Sequence, residues 1–320
     1  MNEVLSLPAQ SVLAAAARIA PHAVLTPVLR SRALDALAGA RLAFKAEHLQ
    51  RSGAFKFRGA CNAVWALAPG QAAAGVVTHS SGNHGAALAL AARTRGIACH
   101  VVVPEGAVAA KLANISRHGA TLWRCAASIQ ARERMCAQVQ ADTGATLVHP
   151  YADAQVIAGQ GTAALELVQA EGPFDVVVVP VGGGGLAAGT ALALQQLAPR
   201  TRLVLAEPAG AADTARSLQA GERRIDFVPD TVCDGLRGTL GAPNFAVLQA
   251  AAAEVIVVDD AATVQAMRLL WQVLKQVVEP SSAIALAAVL AQPQRFAGLR
   301  VGLVLSGGNV DIDALPWGAA

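Results

Sequence analysis

Short runs rich in β-branched residues alternate with Ala- and Leu-rich stretches of helical length along almost the whole chain. That alternation restricts the fold more than any other feature. Parallel strands joined by crossover helices are buried on both faces, so they read as apolar runs rather than as alternating patterns. The runs predict strands at Leu42–Ala46, Val76–Thr78, Cys99–Val103, Thr121–Arg124, Leu147–His149, Val176–Val179, Arg202–Ala206, Val255–Val258 and Val301–Leu305. Helices are expected between them, for example at Ala54–Leu67, His84–Arg95, Ala109–His118, Ser128–Thr143, Gly161–Gln169, Leu186–Gln196 and Ala261–Val277. The result is a doubly wound α/β fold. Its 320 residues suffice for one large core or two lobes. The stretch from Asp213 to about Asn244 is less periodic and is expected to be loop-rich, covering a site.

Composition excludes several classes. A net charge of +3 is small for this length, and no basic run interleaves with aromatics, so nucleic acid is not an expected partner. Cys61, Cys99, Cys125, Cys136 and Cys233 are scattered with no C-x-x-C pair, as reduced thiols in a cytoplasmic protein would be. Glu3 lies early and no basic segment leads into an apolar one, so no signal peptide is expected. Val176–Pro199 carries no charge and is long enough to span a bilayer, but Pro180 and Gly182–Gly185 interrupt it. A strand, a glycine turn and a helix fit better than a membrane span, and a soluble protein is expected.

Five segments carry candidate chemistry. In Ser52-Gly53-Ala54-Phe55-Lys56-Phe57-Arg58-Gly59, a lysine opens a helix between two aromatic residues. Both settings lower an amine pKa and make a better nucleophile, although a solvated surface lysine fits this segment equally well. Thr78-His79-Ser80-Ser81-Gly82-Asn83-His84-Gly85-Ala86 follows a strand and opens a helix. One helix cap needs one such residue, so five polar side chains favour a binding loop. Val179-Pro180-Val181-Gly182-Gly183-Gly184-Gly185-Leu186 repeats the strand-turn-helix pattern with a backbone able to wrap a phosphate. Gly183-x-Gly185-x-x-Ala188 also fits a dinucleotide fingerprint, with Glu207 about where a ribose-binding acid belongs. Leu305-Ser306-Gly307-Gly308-Asn309 closes the last strand, either as a turn or to present Ser306 to a ligand. Ala206-Glu207-Pro208-Ala209-Gly210-Ala211-Ala212-Asp213 offers hard oxygen ligands, or is a solvated loop.

In this order and spacing the five segments resemble the fold-type II pyridoxal-phosphate enzymes (tryptophan synthase β-like), in particular the serine/threonine dehydratase and serine racemase family. The resemblance runs from about Leu34 to Trp317 and takes in Val148-His149-Pro150, Val156–Thr162, Asp234-Gly235-Leu236 and Glu279-Pro280-Ser281. It leaves the dinucleotide reading remote, because that reading gives Lys56 and the serine-rich loop no role. It implies two doubly wound parallel-sheet lobes with pyridoxal phosphate in the cleft. Residues 1–71 plus 149–320 would form the large lobe, and 72–148 the small lobe carrying the Ser81/Asn83 loop.

The resemblance also implies roles. Lys56 anchors the cofactor and Phe55 packs near it. Asn83 bonds its 3′-oxygen, Gly182, Gly183, Gly184 and Gly185 cradle its phosphate, and Ser306 faces its ring nitrogen. Lys56 and Ser81 are the catalytic pair on opposite faces. Ser80, Ser81, His84, Arg132 and Gly238 stand near substrate. Glu207, the Ala211 carbonyl and Asp213 match a site for Mg²⁺ (or Ca²⁺ or Mn²⁺). A neutral hydroxyl at Ser306 makes a mild electron sink, which favours elimination over transamination.

The expected activity is therefore a dehydratase (ammonia-lyase) taking a small L-β-hydroxy amino acid, with L-threonine or L-serine first, to a 2-oxo acid and ammonia. Serine racemisation with side dehydration, or dehydration of 3-hydroxyaspartate or phenylserine, are the alternatives. Tyr151 stands where mammalian-type serine racemases carry Asn, and Gly238 where they carry Ser, which leaves room for a larger β-substituent. Arg237 beside it is placed to attract a second carboxylate. A homodimer is expected from the family; a C-terminal regulatory domain is not.

Overall fold

The computed structural model describes residues 7–317. Ten strands run in chain order: β1 (Val28–Leu29), β2 (Arg41–Ala46), β3 (Val76–His79), β4 (Cys99–Pro104), β5 (Thr121–Cys125), β6 (Thr146–Leu147), β7 (Val176–Pro180), β8 (Arg202–Pro208), β9 (Glu254–Val258) and β10 (Arg300–Leu305). The helices are α1 (Gln10–Ile19), α2 (Arg32–Ala38), α3 (Lys56–Ala66), α4 (Pro69–Ala74), α5 (Asn83–Arg95), α6 (Ala109–Ser116) and α7 (Ile129–Thr143). They continue with α8 (Ala154–Glu171), α9 (Gly185–Leu197), α10 (Asp213–Ala220), α11 (Ala242–Ala250), α12 (Asp260–Leu269) and α13 (Pro280–Ala291).

The strands form two sheets, six-stranded in the order β1-β2-β10-β7-β8-β9 and four-stranded in the order β5-β4-β3-β6. Every pairing is parallel except β1 with β2. Central strands are buried throughout, as in the Val176–Pro180 run of β7, which explains their unbroken apolar sequences. The expected α/β architecture with parallel sheets is the one found.

Each sheet has a point where the winding reverses. In the larger, the chain leaves β7 for β8 on one side while β10 returns on the other. In the smaller, it leaves β3 for β4 and returns at β6 on the opposite flank. Ligands bind open α/β sheets beyond the carboxyl ends of strands at such points. Here those ends carry the glycine loop after β7, Ser306 after β10 and the serine loop after β3. Lys56 joins them because Phe55 N–H donates to the Ser306 carbonyl at 2.9 Å and Ala54 bridges Gly307.

The elements depart from the sequence reading where capping decides. Asp153 accepts from Val156 N–H and starts α8 well before Gly161. The stretch after Asp213 is not all loop, since α10 occupies Asp213–Ala220. α12 ends at Leu269 and continues as one π-helical turn, Leu270–Leu274, closed by Lys275 at φ 60°. Among the described residues no helix is long and apolar enough to cross a membrane.

Candidate active site

A cavity of about 620 Å³ opens where the two switch points meet. It is lined by Phe55, Lys56, Ser80, Ser81, Asn83, His84, Arg132, Gly182, Gly183, Gly184, Gly185, Gly238 and Ser306, so the structure gathers in one place the residues singled out for cofactor and substrate. The three metal candidates, Glu207, Ala211 and Asp213, lie outside its lining.

Lys56 is the first residue of α3, and its Nζ donates to the Pro150 carbonyl at 3.0 Å. Burial pushes this amine down to about 8, against a smaller opposing effect of the Glu279 carboxylate. The Nζ stands 5.1 Å from the Phe55 ring centroid. Beneath the lysine, Arg58 is fully buried and held by two carboxylates: Glu47 at 2.7 and 2.8 Å, and Glu166 at 2.6 and 2.7 Å. Lys45 completes the network at 2.6 Å from Glu166, so two cations balance two anions. Burial works against the charge on Glu47, but Arg58 outweighs it and holds that carboxyl below its ordinary value. The start of α3 is thereby fixed to β2 and α8.

The glycine loop has the shape of an anion seat. Gly184 has φ 88°, a conformation open to glycine at little cost, and Gly185 begins α9. A methyl group on Gly183 would fall 2.4 Å from Tyr151 Cγ. A Cβ there would collide with the Tyr151 ring, so the loop needs glycine at this position. Asn244, which the sequence reading missed, holds this loop: its Nδ2 donates to the Gly183 carbonyl at 2.5 Å and the Tyr151 carbonyl at 2.9 Å. Nothing in the local sequence marks Asn244, an amide on the first turn of α11.

Asn83 is locked at both ends. Its Nδ2 donates to Glu279 Oε1 at 2.9 Å, and its Oδ1 accepts from Asn309 Nδ2 at 2.9 Å. Asn309 also donates to the Ser52 carbonyl at 2.8 Å and, through its backbone N–H, to Glu279 Oε2 at 3.1 Å. Glu279 and Asn309 had no role in the sequence reading. The one cue was an acid preceding a proline at a helix start. Burial pushes Glu279 up to about 7.

The histidines of the cavity are neutral. His84 Nε2 lies 3.3 Å from the Val148 carbonyl, its Nδ1 is buried without a partner, and burial holds its pKa well below the usual range. His149 Nδ1 accepts from Ala152 N–H at 3.0 Å, and burial pushes it down to about 4. Ser306 Oγ donates weakly to the Ser281 carbonyl at 3.4 Å, and Ser80 Oγ accepts from Gly82 N–H at the same distance.

Gly238 faces an aromatic edge rather than free space. A Cβ there would lie 3.4 Å from Tyr151 Cε1, so Tyr151 borders the room that a missing serine was expected to release. Arg132 and Arg237 line the cavity with no acidic partner within ion-pairing distance among the described residues. Arg237 spends two nitrogens on the Thr231 carbonyl, and Arg132 only a long Nε contact of 3.4 Å on Ser128.

Glu207 is completely buried at the end of β8, where its two oxygens accept from Thr214 and Ala215 N–H at 2.7 and 2.8 Å. It caps α10, facing away from any ribose, which removes the structural basis of the dinucleotide reading. Asp213 accepts from Leu240 N–H at 2.8 Å, while its Oδ1 is buried with no partner. Burial pushes Glu207 up to about 7 and Asp213 up to about 6. Two buried carboxylates, one with an orphaned oxygen and neither ion-paired, fit a divalent cation completed by a backbone carbonyl. Among the described residues no group of three or more His, Cys, Asp or Glu side chains converges.

The family model described as pyridoxal-phosphate dependent enzyme matches residues 19–307. The chain belongs to this family. It is 49% identical over 308 residues to a β-hydroxyaspartate dehydratase of Paracoccus denitrificans, covering 96% of this chain and 98% of that one. It is 46% identical to a serine racemase of Arabidopsis thaliana, covering 93% and 92%. Among solved structures, maize serine racemase superposes with a TM-score of 0.93 at 44% identity, covering 96% of this chain and 95% of that one. The fold is therefore fold-type II, and the chain is an enzyme of the pyridoxal-phosphate-dependent hydroxy-amino-acid ammonia-lyase and racemase group.

Proposed function

We propose that this member of the family is a dehydratase whose preferred substrate is an L-3-hydroxyaspartate, ahead of the L-serine and L-threonine that the sequence alone put first. The carrying observation is the pair Arg132 and Arg237, which line the Lys56 cavity without carboxylate partners. A monocarboxylic substrate uses one such cation at most; a dicarboxylic one uses both. The relative named β-hydroxyaspartate dehydratase supports the same order.

In this reading the glycine loop with the α9 N-terminus holds the cofactor phosphate, Lys56 carries the cofactor, and Asn83 and the Ser306 hydroxyl meet its ring. When bound, pyridoxal phosphate supplies an electron sink that acidifies the Cα–H of an attached amino acid. The dry surroundings of Lys56 enlarge the share of its Nζ in the neutral form that takes the Cα proton. Loss of that proton from Cα and of hydroxide from Cβ sums to one water and leaves an enamino acid. In water this becomes a 2-oxo acid and ammonia. The neutral His84 spends its one N–H on the Val148 carbonyl through Nε2, which leaves Nδ1 without a proton to give. Glu207, Asp213 and the Ala211 carbonyl hold Mg²⁺ or a similar cation. Residues 72–148 form the lobe that closes over substrate.

Racemisation is the second reading, favoured by one feature: the Ser81 hydroxyl lines the cavity and makes no side-chain hydrogen bond among the described residues, leaving it free to return a proton. The deciding experiment offers L-threo-3-hydroxyaspartate, L-serine and L-threonine in parallel to the cofactor-loaded enzyme and follows 2-oxo acid release. Fastest release from hydroxyaspartate supports the proposal. Faster release from serine or threonine overturns it, and D-amino acid without 2-oxo acid selects the racemase.

A further inference from the structure

Tyr151 is the single tyrosine of the chain and lines the cavity next to Pro150, the residue whose carbonyl receives Lys56 Nζ. Its ring is unusually well fixed. One face lies on Gly183, and Gly238 and Gly241 border the ring at opposite sides, their Cβ positions falling 3.4 Å from Cε1 and 3.3 Å from Cδ2. His149 meets the ring edge-on with centroids 4.6 Å apart. The backbone is held as well, through Asn244 at the carbonyl and His149 Nδ1 at the N–H. Such packing leaves the phenol no room to swing. Yet its hydroxyl makes no hydrogen bond among the described residues, an unusual economy for a half-buried tyrosine.

Charges of both signs surround this hydroxyl, with the cation Arg132 foremost. Burial raises the phenol pKa; Arg132 is the strongest charge acting in the opposite sense and Arg223 follows, while Asp213 and Glu133 add to the rise. A free O–H donor near a cation without a carboxylate partner lacks only an acceptor that carries negative charge. The neutral histidines on the same wall cannot supply it.

We infer that Tyr151 is a specificity-determining residue, its hydroxyl donating to the side-chain carboxylate of a dicarboxylic amino acid drawn in by Arg132. This rests on the substrate reading above and deepens it by naming the group that discriminates. A site built to donate to a substrate oxygen rejects analogues without it, because the donor is left unpaired. L-serine, lacking the second carboxylate, gains nothing from the phenol.

The test compares wild-type and Tyr151→Phe holoenzymes, the variant keeping the ring and its packing. For L-threo-3-hydroxyaspartate, kcat/KM should fall about 10- to 100-fold, while that for L-serine should change less than about twofold. Succinate, a dicarboxylate that cannot react, should inhibit serine turnover in the wild type and do so about tenfold more weakly in the variant. Succinate should also raise the ionisation midpoint of the lone tyrosine, read from tyrosinate absorbance in the near ultraviolet, since a carboxylate acceptor stabilises the neutral phenol. Equal losses on both substrates, or succinate inhibition unchanged by the substitution, would overturn the inference. A wild type that prefers serine would sink the substrate reading alone, because the succinate measurements still decide whether Tyr151 receives a carboxylate.

Discussion

Lys56 Nζ points its hydrogen bond at the carbonyl of Pro150, 3.0 Å away, in surroundings that disfavour an ammonium ion. The amine, with a pKa of about 8 in place of 10.5, is half neutral at about pH 8, where a surface lysine is almost wholly charged. Only the neutral form is nucleophilic. Cofactor uptake by the cofactor-free protein should therefore accelerate about tenfold per pH unit below this value and level off above it. Stopped-flow absorbance in the visible checks the profile. Glu279→Gln removes the carboxylate that favours the charged amine, so its inflection should move to lower pH; a shift upward contradicts the assignment.

Arg58 binds the buried Glu47 and the partly exposed Glu166, and its removal leaves Glu47 without its main counter-charge while Glu166 keeps Lys45. Arg58→Met should cost about 3–5 kcal/mol of stability, read from urea unfolding. Glu47 has a depressed folded pKa, so its contribution is present above its ordinary value of 4.5 and disappears as pH falls through the folded value. The variant should lose much of this acid dependence.

Chelation should lower the unfolding temperature of the wild type, and added Mg²⁺ should restore it. At a metal concentration a hundredfold above Kd the gain is about 2.7 kcal/mol. Asp213→Asn, which removes the orphaned carboxylate oxygen, should abolish the response to both treatments. Calorimetry with and without chelator measures it; a normal metal response in the variant places the cation elsewhere.

Asn244→Ala removes the two hydrogen bonds that tie the glycine loop to Tyr151. At about 1–1.5 kcal/mol for each such bond, cofactor affinity should weaken about 10- to 100-fold. Equilibrium dialysis reads the change directly. Unaltered affinity would mean that the loop keeps its shape through Gly241 N–H alone, which also donates to the Gly183 carbonyl.

Much of this was legible in the sequence, and the divide has a physical basis. Apolar runs announce parallel strands, and clusters such as Ser80–His84 or Gly182–Gly185 announce themselves because one local segment concentrates an unusual chemistry. Asn244, Glu279 and Asn309 were illegible as site residues because each is a lone side chain whose partners lie far along the chain, 61 residues away for Asn244 and Gly183 and 226 for Asn309 and Asn83. The neighbour of Gly238 was hidden for the same reason: it is Tyr151, which only folding brings there. Helix α8 was shortened because its cap, Asp153, was not read as one.

The stitch between Asn83, Glu279 and Asn309 fastens the loop after β3 to the larger sheet. A loop pinned there keeps its place against the strand that leads into Ser306, so any motion of the smaller sheet would pivot about Ser81 and Asn83 rather than carry them away.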